Sequence, residues 1–75
     1  MTRSVIVTGA ARGIGAGIAR RLAGEGWKVT CADQDGEAAA ALAREIGGTG
    51  VACDVGSETD IERLVALTRA QWGHI

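Results

Sequence analysis

The stretch VIVTGAARGIG, Val5 to Gly15, decides how the rest of the chain is read. Its first half is a run of β-branched residues. The apolar positions are contiguous rather than alternating, so Ser4–Thr8 reads as a strand buried on both faces. Its second half is a glycine turn, T-G-x-x-x-G-x-G, leading into a helix from about Ile14 to Glu25. Gly9 lets the backbone leave the strand sharply, Gly13 puts no side chain in front of the helix, and Gly15 lets the helix start close to the sheet. Ile14, Ile18 and Leu22 recur every four residues and form the expected buried stripe. Gly26 is placed to end the helix in a left-handed conformation.

Working outward, Lys28–Ala32 reads as a second strand. Asp35 is placed to cap a second helix, which runs to about Ile46 with Leu42 and Ile46 facing inward, and Gly47–Gly48 stop it. Val51–Asp54 reads as a third, short strand. Ser57 opens a third helix, with Ser57 and Asp60 spaced as a capping box. Ile61, Leu64, Val65, Thr68 and Trp72 line one side of it, and it ends near Gly73. The order is β-α-β-α-β-α. Right-handed crossovers place three parallel strands in the spatial order 3-2-1, which is half of a doubly wound α/β sheet, a partial Rossmann fold.

Composition narrows the function. The chain has 75 residues, a formal net charge of −1, 47% hydrophobic and 23% charged residues. That is a globular composition with room for one small domain at most. The charge balance, with Arg20–Arg21 as the only basic pair, argues against a nucleic-acid partner or an anionic membrane surface. No apolar run approaches the ~20 residues of a membrane span, and Val5–Val7 is too short for a signal-peptide core. Cys31 and Cys53 have no CxxC spacing and read as buried thiols of a reducing, cytoplasmic protein.

Free backbone N–H groups and the helix dipole make the glycine turn a phosphate site. A P-loop is excluded, because the sole lysine, Lys28, lies outside the turn. A glycine turn alone also occurs without a ligand, so the flanking acids matter. Asp33 ends the second strand, 18 residues beyond Gly15, near the ~20-residue offset of the acid that takes an adenosine ribose. A carboxylate there accepts from both ribose hydroxyls and repels a 2′-phosphate. At ~4 Å, that repulsion is worth about 1 to 4 kcal/mol, depending on the local dielectric. Asp54-Val55 follows the third strand, along the same edge of the sheet, where open α/β sheets bind ligands.

The residues VIVTGAARGIGAGIARRLAGEGWKV, then ADQD, then CDV, resemble the start of the short-chain dehydrogenases/reductases. The resemblance covers all of this chain but only about the first third of that family's domain. It implies that Gly9, Gly13 and Gly15 form a pyrophosphate turn, and that Ile14 contacts the cofactor through its backbone. It also implies that Asp33 selects NAD over NADP, that Asp54 meets the adenine amino group, and that Val55 adds backbone and apolar contact. Arg12 points the other way, since a basic residue before the second glycine often accompanies NADP preference in relatives. The expected cofactor is NAD, with NADP second.

The family's chemistry uses a Tyr-x-x-x-Lys pair, a Ser and an Asn, with the tyrosine as general acid or base. This chain has no tyrosine, and His74 reads as a solvated side chain, so no catalytic residue is assigned. The expectation is therefore that residues 1–75 are the N-terminal, incomplete part of one dinucleotide-binding domain. Its parent would be a homo-oligomeric oxidoreductase, and the exposed first strand invites self-association. The other two readings are a stand-alone, non-catalytic nucleotide-binding module and a non-functional truncated reading frame.

Overall fold

Three parallel strands form one sheet in the 3-2-1 order expected. A computed structural model describes residues 3–75. β1 (Ser4–Thr8) pairs with β2 (Lys28–Asp33), with Val5 beside Val29 and Val7 beside Cys31. β2 pairs on its other side with β3 (Thr49–Ala52). Being central, β2 buries Val29, Thr30, Cys31 and Ala32 almost completely. β1 and β3 are the outer strands among the described residues. Val7 is buried, but Val5 and Ile6 are only half-buried. The expectation that β1 is covered on both faces holds in part: Val5 and Val7 pack against the core on one face of the sheet, and Ile6 against the core on the opposite face, but Val5 and Ile6 keep some exposure.

β3 begins and ends two residues earlier than the sequence suggests. Glycine is a poor strand former, so Thr49 and Gly50 read as a loop. The backbone ladder to β2 nevertheless takes Gly50 opposite Cys31, and tertiary pairing overrides propensity. Beyond Ala52, Cys53 N donates to Asp33 O at 2.9 Å, and then the chain turns away.

The helices lie on two faces. α1 (Gly13–Gly24) and α2 (Gly36–Ile46) cover one face, over a core that includes Val7, Val29, Cys31 and Leu42. α3 (Glu58–Trp72) covers the other, where Leu64 packs with Ala32 and Cys53. α3 also carries a buried hydroxyl: Thr68 Oγ1 donates to Leu64 O at 2.9 Å.

α1 corrects the expected stripe. Ile14 is 84% and Ile18 47% exposed, whereas Ala16 and Ala19 are buried, with Leu22 and Ala23 partly so. The helix carries two apolar faces, and the small one wins. An alanine face lets the helix axis approach the sheet more closely than an isoleucine face can, which buries backbone as well as side chains.

The caps hold in part as expected. Asp35 Oδ1 accepts from Ala38 N at 3.1 Å and starts α2. Ser57 Oγ accepts from Asp60 N at 3.2 Å and starts α3. The reciprocal half of the capping box is not made. Asp60 Oδ2 instead accepts from Asp54 N at 3.0 Å, and Ser57 N donates to Asp54 O at 2.9 Å. A shorter carboxylate than Glu reaches the preceding loop rather than its own cap residue.

Candidate functional site

All three strands run toward the same edge, where Thr8, Asp33 and Ala52 end them. The glycine turn after β1 is fastened to the end of β2 by two bonds. Ala10 N donates to Ala32 O at 3.1 Å, and Ala11 N donates to Asp33 Oδ2 at 3.1 Å. The other carboxylate oxygen of Asp33 accepts from Asp35 N at 2.9 Å. The Asp35 N–H, then the Ala11 N–H, hold the Asp33 carboxyl below its usual range against the opposing cost of burial, and the Arg12 charge assists. Asp33 is thus an ionised, oriented carboxylate that also anchors the turn, a structural role the sequence did not reveal.

The turn delivers the start of α1 without closing it. Arg12 occupies the N-cap position in an extended conformation, makes no side-chain cap, and no acid stands in the first turn. Backbone N–H groups in a first turn have no intrahelical acceptor. Gly13 has φ +62, and a Cβ there would meet nothing within 4 Å, so the space before the helix is open and the backbone conformation excludes other residues at low cost. Gly15 is demanded by contact: a Cβ on it would run into the carbonyl of Gly9.

A cleft of about 220 Å³ at this edge is lined by Gly9, Asp33, Gln34, Cys53 and Val55. Of the residues singled out from sequence, the structure brings Gly9, Asp33 and Val55 into it. Gly13, Ile14 and Gly15 stand at the helix start, with Ile14 exposed. Arg12 reaches across toward α2, its Nη2 3.9 Å from Asp35 Oδ2. Asp54 lies two residues past β3 instead of ending it. It is exposed, and its Oδ1 accepts from Gly56 N at 2.9 Å. Val55 is 61% exposed and presents an apolar surface beside the cleft.

Two further residues line the cleft. Gln34 has only its place after Asp33 as a sequence signal. Cys53 reads from the sequence as a buried thiol, which it is at 2% exposure, but it lines the cleft as well. Burial, then Asp60, raise its pKa, so it remains a neutral thiol. Among the described residues no His, Cys, Asp and Glu group could hold a metal ion, and no helix is long and apolar enough to cross a membrane.

Known proteins share this fold. The family model described as short chain dehydrogenase matches residues 3–75. An L-fucose dehydrogenase of Oryctolagus cuniculus is 43% identical over 72 residues, which cover 95% of this chain and 25% of that protein. A sorbitol dehydrogenase of Cereibacter sphaeroides is 41% identical over 75 residues, covering 97% of this chain and 29% of that one. A crystal structure of 3-ketoacyl-(acyl-carrier-protein) reductase from Brucella melitensis complexed with NADH superposes with a TM-score of 0.92 at 36% identity, over 95% of this chain and 30% of that chain. The chain therefore spans between a quarter and a third of the length of these relatives.

Proposed function

The chain belongs to the short-chain dehydrogenase family, and from that premise we propose that its strand-end edge binds the pyrophosphate and adenosine of a nicotinamide dinucleotide. The observation that carries this reading is the uncapped start of α1, set beside a fixed carboxylate. The turn offers unsatisfied N–H groups to an anion, and the open space at Gly13 admits it. One strand away, Asp33 offers oxygens to ribose hydroxyls. Val55 supplies an exposed apolar face for the adenine, and Asp54 retains a carboxylate oxygen for its amino group.

When bound, the dinucleotide supplies a hydride donor or acceptor for an alcohol or carbonyl substrate, the chemistry general to the family. The residues described here hold and orient its adenosine half, and none is assigned to the hydride step. The ionised Asp33 favours NAD, because a 2′-phosphate would meet a like charge. Titration calorimetry with NAD tests the reading. Binding is expected for the unaltered chain. Gly13→Val should lower the affinity by more than about tenfold, or 1.4 kcal/mol, because two methyl groups enter the open space. Unchanged affinity in that variant would separate the turn from the pyrophosphate.

A further inference from the structure

The lip of the cleft holds a charged triad whose third member the dinucleotide reading does not use. Asp33 has both oxygens engaged by backbone N–H groups. Asp35, two residues on, divides its carboxylate between two tasks. Oδ1 caps α2 at Ala38 N, 3.1 Å away, and Oδ2 faces Arg12 Nη2 at 3.9 Å. Arg12 comes from the glycine turn and gives α1 no cap. We propose that Asp35 is a specificity-determining residue, which holds the turn's only cation and so denies it to a phosphate on the adenosine ribose. The inference rests on the dinucleotide reading and adds a residue to it.

The argument is electrostatic. Asp33 and Asp35 with Arg12 leave one excess negative charge at the lip. A ribose bearing a free 2′-hydroxyl meets no penalty there. A 2′-phosphate brings about 1.5 to 2 negative charges and needs a guanidinium, which pairs with phosphate through two parallel N–H bonds. In this chain that guanidinium already has a carboxylate partner. Removing the charge of Asp35 does two things at once: it neutralises the lip and it frees Arg12. Neither acts appreciably on NAD, which has no phosphate at that position.

Asp35 also starts α2, so the substitution must preserve the cap. Asn and Ser both accept from the N–H of the third helical residue, which makes Asp35→Asn and Asp35→Ser the informative variants. The experiment titrates NAD and NADP separately into the unaltered chain, the two variants, Arg12→Ala and the double variant Arg12→Ala/Asp35→Asn. The expected result is a rise of about two- to fivefold in NADP affinity relative to NAD in both Asp35 variants, the size of an exposed ion pair. The rise should be clearly smaller when the double variant is compared with Arg12→Ala, since only the lost charge of Asp35 then acts. A ratio unmoved in both variants overturns the proposal. A rise of the same size in the double variant also overturns it, since Asp35 would then act by its own charge alone. An unaltered chain that binds neither nucleotide removes the dinucleotide reading, and this inference with it.

Discussion

α2 and α3 begin under side-chain caps, from Asp35 and Ser57, with Glu37 in one first turn and Glu58 and Asp60 in the other. α1 begins at Arg12 with no cap and no acid in its first turn. The three helices start on the same edge of the same sheet, so the difference is not one of position. A missing cap leaves a helix about 1 kcal/mol less stable, and its N–H groups stay available. What α2 and α3 satisfy from within, α1 leaves for an external anion. The cost is offset by fastening: the α1 turn is held by Ala10 and Ala11 bonding to the end of β2, whereas α2 and α3 hold themselves.

The largest test of this contrast is Gly15→Val. If α1 owes its place to the close approach of Gly15 to Gly9, a side chain there must push the turn off β2. A loss of about 3 kcal/mol or more is expected, at the top of the overpacking range, read from the denaturant midpoint. Gly17 lies one half-turn on, and a Cβ there meets nothing. Gly17→Ala should therefore stabilise the chain by about 0.5 to 1 kcal/mol. Equal effects at the two glycines would mean that the contact does not position the helix.

The next effect concerns the fastening. Asp33→Asn removes the charge and keeps an oxygen for one backbone N–H. NADP affinity relative to NAD should rise about tenfold, or 1.4 kcal/mol, with an unchanged ratio removing Asp33 from the adenosine side. Acid stability reads the same bonds. The folded carboxyl lies below its ordinary value, which is about 3.9 unfolded. Its contribution is present above about pH 3.9 and is lost as pH falls through the folded value. The chain's unfolding free energy should therefore decline less steeply below pH 4 in Asp33→Asn, as followed by circular dichroism.

The smallest effects compare the helix starts directly. Ser57→Ala should cost about 1 kcal/mol. Arg12→Ala should change stability by less than about 0.5 kcal/mol, because it removes only an exposed ion pair. Thermal unfolding of both variants decides the matter. A cap-sized loss at Arg12 would show that α1 is not open after all.

From the amino-acid sequence alone follow the element order, the strand order, the caps at Asp35 and Ser57, and the need for glycine at the α1 turn. These are local: a cap depends on residues three apart, a glycine turn on its own dihedrals, and crossover handedness on chain chirality. Only the tertiary structure decided that Ala16 and Ala19, rather than Ile14 and Ile18, face the sheet. It also placed Gly50 within β3 and drew Asp54 past the strand end, while Gln34 and Cys53 came into the cleft. Periodicity identifies apolar faces but is silent about which one is pressed against a neighbour. That choice depends on how close two backbones come, and here the contact of Gly15 with the carbonyl of Gly9 sets the distance. The second role of Asp33, as anchor for Ala11, is of the same kind: it needs β1 and β2 side by side before a carboxylate at the end of one can reach the turn after the other.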